Sequence, residues 1–176
     1  MLTALDLPCE LELPRAPSAG YRLRRATQED LPALVALLAD DALAVARGET
    51  AEPSASAAYA AALAEVLAEP SNELVVAVDA GGRLAATMQL TRIPGLARRG
   101  ATRLQIEAVR VDAEHRSSGL GTAMLRWAMG PAAVSTGSAL VQLTSDERRP
   151  DAHRFYERLG FVGSHRGFKR QVEQGR

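Results

Sequence analysis

LQIEAVRVDAEHRSSGLGTAML, residues 104–125, joins two periodicities in one short stretch. Ile106, Val109 and Val111 give a strand-like run, a polar loop follows, and beyond Arg116-Ser117-Ser118-Gly119-Leu120-Gly121 the pattern turns helical. Glycine lets a backbone approach a ligand closely, and a helix start offers unpaired N–H groups and a positive dipole end. A strand–glycine loop–helix unit of this kind is suited to holding a phosphate.

Working outward, residues 1–20 carry Pro8, Pro14, Pro17 and Gly20 with little periodicity and read as an extended, mobile N-terminal arm. Tyr21 to Arg24 alternates like a short strand, and Thr27 with Asp30 has capping-box spacing. Leu31, Leu34, Val35 and Leu38 then share a helical face. A second helix starts at Ser54 or Ser56, points Ala60, Leu63, Val66 and Leu67 inward, and ends near Pro70. Leu74 to Val78 and Leu84 to Thr91 are strands about an Asp79-Ala80-Gly81-Gly82 turn, and residues 102–111 make the next strand. Gly130-Pro131 should break or kink the helix after the glycine loop. Leu140 to Thr144 is a strand, Asp151 to Leu159 a helix closed by Gly160, and Phe161-Val162 opens a last strand. The order is β-α-α-β-β-β-α-β-α-β. The fold class is α+β: a mixed, mostly antiparallel sheet flanked by helices, in a single domain over residues 21–176.

The chain of 176 residues has room for a proper core, and zero net charge gives no drive toward nucleic acid or anionic membrane. No apolar run is long enough to span a bilayer, and the N-terminus lacks a secretory pattern, so a cytoplasmic location is expected. Cys9 is the sole cysteine, and His115, His153 and His165 lack close ligand spacing, so no metal is expected.

Three phosphate motifs compete for the loop. A P-loop needs a terminal Gly-Lys-Ser/Thr, which is missing, and a dinucleotide fingerprint needs a third glycine where Met124 stands. The pattern R-x-x-G-x-G is met at Arg116, Gly119 and Gly121. Together with Ala152-His153-Arg154-Phe155-Tyr156-Glu157-Arg158-Leu159-Gly160-Phe161, an A-x-x-x-Y-E-x-x-G-F segment, it resembles the GNAT superfamily of N-acetyltransferases over roughly residues 21–170. The resemblance implies acetyl-CoA as donor. Its pyrophosphate would lie on the amides of Arg116, Ser117, Ser118, Gly119, Leu120, Gly121 and Thr122. Its pantetheine would pair with the backbone of Val109, Arg110 and Val111 where strands splay. The resemblance also implies direct transfer to an amine in a ternary complex, Tyr156 as the acid for the departing sulfur, and homodimers. Arg149 replaces a frequent asparagine seven residues before that tyrosine and is a candidate for the pantetheine or a phosphate.

Glu107, flanked by Ile106 and Ala108 on the strand before the loop, is the candidate base, with Gln105 on its face at period two. Mostly apolar surroundings would help that carboxylate accept a proton, directly or through water. A strand amide near Val109 is the expected oxyanion donor. The acceptor is expected to be a small-molecule amine, selected by residues 27–68, the 92–101 loop and the C-terminal strands. Acidic Glu29-Asp30 and Asp40-Asp41 read first as a solvated helix surface and second as an attraction for a cationic amine, while basic Arg92, Arg98, Arg99 and Arg103 suit an anionic acceptor, the cofactor's outer phosphates or a partner subunit equally. The alternative is an acyl-CoA-binding sensor that keeps the loop without turnover.

Overall fold

Six strands lie in one sheet, and their order in the sheet is their order in the chain. The computed structural model describes residues 1–14, 20–40 and 56–172. The strands are β1 (Cys9–Leu11), β2 (Tyr21–Arg25), β3 (Asn72–Val78), β4 (Leu84–Ile93), β5 (Arg103–Val111) and β6 (Leu140–Leu143). Neighbours are antiparallel except β5 and β6, which are parallel. The helices are α1 (Leu31–Ala39), α2 (Ser56–Ala68), α3 (Leu120–Trp127) and α4 (Pro150–Arg158). The α+β class and the mostly antiparallel sheet are as the sequence implies. The chain divides into two units, Met1–Leu143 with the whole sheet and Thr144–Arg176 with α4.

Local chemistry starts and stops these elements. The Thr27 side chain and the Asp30 carboxylate form a reciprocal capping box ahead of α1. Asp79 Oδ1 accepts from the amides of Gly81 and Arg83, both at 2.9 Å, which closes the β3–β4 hairpin. On one face of the sheet, Val76 packs with Ala26, Leu34 of α1 and Leu63 of α2. In α2 only Leu63 of the expected inward set is buried, and Leu67 is exposed. The alternate residues Val75, Ala77, Met88, Leu90, Leu104 and Ile106 are fully buried or nearly so, and α3 lies against β4 and β5.

Three particulars differ from the sequence reading. Residues 1–14 are not a plain extended arm: Cys9–Leu11 adds a sheet strand, and Leu2, Leu5, Leu11 and Leu13 are at most 5% exposed. Gly130-Pro131, read as a break or a kink, interrupts the α-helical pattern but does not end the helix. A π-type segment, Ala128–Ala132, carries the chain on to Ala133–Ser135. The wider turn accommodates a ring that lacks an N–H and crowds the preceding turn. Residues 161–172 carry no strand. Of the alternative starts proposed for α2, Ser54 lies outside the described residues.

Candidate active site

The site is built on the second half of β5. Gln89 of β4 pairs with Glu107, but Thr87 pairs with Arg110, so three residue steps on β5 face two on β4. The extra residue is a bulge at Ala108, which sits at φ 50. On the other side, β6 pairs only with Arg103 to Ile106. Glu107, Ala108, Val109, Arg110 and Val111 therefore run on past the last β6 pair. This opening is the splay at which backbone groups can meet an extended ligand. The Val109 carbonyl accepts from Arg110 Nη1 at 2.9 Å, and the Val111 carbonyl from Arg116 Nε at 3.1 Å.

Beyond β5 the loop is organised by its own side chains. Asp112 Oδ1 accepts from the Glu114 amide at 2.9 Å and caps a 3₁₀ turn, Ala113–His115. Ser118 Oγ donates to the His115 carbonyl at 2.7 Å and accepts from the Leu120 amide at 3.2 Å. Ser117 at φ 62 and Gly119 at φ 95 turn the chain into α3. The backbone angle favours glycine, and a Cβ at Gly119 would lie a tight 3.2 Å from Pro14 Cδ. The Ala123 amide donates to the Gly119 carbonyl at 3.0 Å, so Gly121 and Thr122 lie at the helix start, ahead of the first full turn. Their amides, at the positive end of the helix dipole, are a geometry suited to an anion.

Arg116 Nη2 donates to Asp40 Oδ2 at 2.5 Å, tying the loop to the end of α1. His115 is held by Tyr21 Oη on Nδ1 at 2.7 Å and by Arg83 on Nε2 at 3.1 Å. Asp112, Glu114 and His115 bring ligand-type atoms within 4.8 Å of one another. Their contacts are with protein groups, Glu114 pairing with Arg83 at 2.8 Å.

Glu107 and the expected cofactor residues Val109 to Val111 and Arg116 to Thr122 are thus contiguous in the first unit. Glu107 is exposed, which corrects the apolar surroundings expected for it. Two candidate acceptor contacts have structural duties. Asp30 is bonded by Arg24 at 2.7 and 2.8 Å, and Arg92 Nε donates to the Thr136 carbonyl at 3.1 Å. Sequence reasoning missed the bulge, because alanine carries no signal for a left-handed backbone, and missed Asp40 as the partner of Arg116.

In the second unit Tyr156 lies in the last turn of α4, and Arg149 is the residue before its first turn. The Phe161 amide donates to the Tyr156 carbonyl at 3.1 Å and the Gly160 amide to Glu157 at 2.9 Å, with Gly160 at φ 90. The Tyr156 and Phe161 rings are 6.0 Å apart, edge to face. Asp146 is held well below the carboxylate range, first by the Arg148 side chain and then by its amide.

The family model described as the acetyltransferase (GNAT) family matches residues 27–161. Among solved structures, a transcriptional regulator from Bacillus halodurans C-125 is 39% identical with a TM-score of 0.80, covering 86% of this chain and 99% of that one. A protein from Agrobacterium tumefaciens C58, described only as a candidate acetyltransferase, is 30% identical with a TM-score of 0.67 over the same shares. A Trypanosoma brucei acetyltransferase is 25% identical with a TM-score of 0.66, again over 86% and 99%. No curated protein matches the chain. Among the described residues no helix is long and apolar enough to cross a membrane.

Proposed function

This chain belongs to the acetyltransferase (GNAT) family, and on that premise we propose that it transfers an acetyl group from acetyl-CoA to the primary amine of a small molecule. The observation that carries the reading is the opening of β5 beyond Ile106, which leads directly into the amide cradle at Arg116 to Thr122. Acetyl-CoA supplies the activated thioester. The amides of Gly121 and Thr122 and the loop before them hold its pyrophosphate, and Val109 to Val111 pair with its pantetheine.

Transfer is direct. The neutral amine nitrogen attacks the thioester carbon, the C–S bond breaks, and the thiolate leaves with a proton. Glu107 takes the proton released by the amine, through water where contact is indirect. An amide near Val109 stabilises the oxyanion, a role typically worth about 3 kcal/mol in acyl transfer. Tyr156, by its place in the Y-E-x-x-G-F segment, supplies the proton to sulfur, and Arg149 is a further donor contact. A homodimer and a cytoplasmic location belong to the same reading.

The test is thiol release from acetyl-CoA across an amine panel as a function of pH. Glu107→Gln should lower the rate mainly below the amine's own pKa, because above it the amine needs no base. A wild-type pH profile in that variant removes Glu107 from the role. The 39% identity to a protein described as a transcriptional regulator favours a second reading, an acyl-CoA sensor. Thermal stabilisation by acetyl-CoA with no thiol release under any amine would select it.

A further inference from the structure

A sheet face lying under helices is ordinarily apolar, because a polar group shielded from water costs free energy unless it is bonded. The face that carries Leu74 and Val76 of β3 changes character as it crosses to β6. Asn72, Thr91, Gln105 and Gln142 stand in one register row over β3, β4, β5 and β6, and Gln89 and Glu107 are paired in the next row. Five neutral hydrogen-bonding side chains thus flank the candidate base. They bond mainly to one another. Gln89 Nε2 and Thr91 Oγ1 donate to Asn72 Oδ1 at 3.1 and 2.7 Å, and Gln142 Nε2 donates to Gln105 Oε1 at 2.7 Å. Gln105 is 8% exposed, and the other four are half-buried.

Each carboxamide carries both a donor and an acceptor, so these bonds use only part of the set. Among the described residues, Asn72 Nδ2, Gln89 Oε1 and Gln142 Oε1 make no further hydrogen bond with the protein. The row begins two residues before Glu107 along β5, a distance of about 7 Å. The proposed pantetheine strand lies on the opposite side of Glu107, toward Val109. An amine placed at Glu107 therefore has its remaining atoms over this row.

We propose that the row is the acceptor subsite, and that it selects an amine bearing neutral hydroxyl or amide groups within about 7 Å of its nitrogen. This rests on the transfer reading for the position of the amine. Partly used carboxamides reward groups that both donate and accept, and they disfavour an aliphatic tail, which offers nothing to their remaining donor and acceptor atoms. They carry no charge to match an anionic tail. Arg103, two residues further along the same face, makes the anionic case worth an arm of the test.

The experiment compares matched amines on the full chain, with rates expressed per concentration of neutral amine. Glucosamine is set against cyclohexylamine, glycinamide against isobutylamine, and glucosamine 6-phosphate serves as the anionic arm. The first two pairs separate a hydroxylated from an amide-bearing acceptor. Binding of the same amines to the protein with CoA is followed by calorimetry. At least about a tenfold preference for the polar member of one pair is expected. Gln89→Leu and Gln142→Leu, at half-buried positions and checked for folding by thermal melts, should bring that ratio toward one. Equal use of both members, a ratio unchanged in the variants, or preference for the phosphate overturns the subsite. Thiol release without preference leaves transfer standing and the subsite refuted. A binding preference that the variants lose, with no thiol release, refutes transfer and keeps the subsite.

Discussion

Ser118 shows how a single side chain shapes a loop. Its hydroxyl joins the His115 carbonyl to the Leu120 amide, so the turn before α3 is shaped by the protein itself. Removing it should cost about 1 kcal/mol of preorganisation, or roughly fivefold in affinity. Ser118→Ala is therefore expected to weaken acetyl-CoA binding severalfold in a titration while leaving the melting temperature nearly unchanged. Gly119→Glu should abolish binding outright, but its loss mixes charge and bulk in the cradle with strain at φ 95 and the Pro14 contact. Asp30 gives a residue-scale pH dependence. Its carboxyl is pulled below its ordinary 3.8, first by the Arg24 side chain and then by the Thr27 amide, against burial. A depressed folded-state value means the stabilisation is fully present above that ordinary range and is lost as pH falls through the folded value. For a pair partly open to solvent it amounts to about 1 kcal/mol. Asp30→Asn should lower the denaturant midpoint at pH 7, and the deficit should narrow below pH 3.8.

At the scale of elements, the A-x-x-x-Y-E-x-x-G-F segment has a structural meaning beside its functional one. The Phe161-to-Tyr156 and Gly160-to-Glu157 bonds form a Schellman cap, and the Tyr156–Phe161 ring contact is the apolar pair that accompanies it. The spacing of tyrosine, glycine and phenylalanine is what such a cap requires, so part of this motif was legible as physics without any family. Gly160→Ala places a Cβ at φ 90 and should cost about 1 kcal/mol. Faster hydrogen exchange at the Gly160 and Phe161 amides would register it. The bulge at Ala108 is the opposite case. Alanine at φ 50 gives no residue-type signal, and the one trace in the sequence is the slip of the apolar alternation from Leu104 and Ile106 to Val109 and Val111. Likewise Gly130-Pro131 announces a break locally, yet flanking residues such as Ala128 and Ala132 are buried, and packing favours a π-type turn over an end.

Across the first unit, the N-terminal residues matter more than their proline content suggests. Arg25 donates to the carbonyls of Leu2, Thr3 and Leu5 at 3.4, 3.4 and 3.1 Å, and through Nε to Glu73 at 2.8 Å. Burial pushes the Glu73 carboxyl up against that pairing. Four leucines buried at about 1.5–3 kcal/mol each set an upper bound of several kcal/mol for this segment. A chain starting at residue 15 should therefore melt roughly ten degrees lower than the whole chain. An unchanged melting temperature would show that the segment contributes little.

The sequence by itself determined the element order from β2 to α4, the α+β class, the capping box at Thr27, and the glycine loop between strand and helix. Each depends on side-chain period or on neighbours a few residues apart. It also named Glu107 and the loop residues, because residue type and spacing restrict what such a loop can hold. Only the tertiary structure decided which surroundings those residues meet. Glu107 is exposed, Arg116 is tied to Asp40, β5 carries an extra residue, and a row of neutral polar side chains from four strands assembles beside it. Register between distant strands brings these together, and no local pattern encodes register until the sheet has formed.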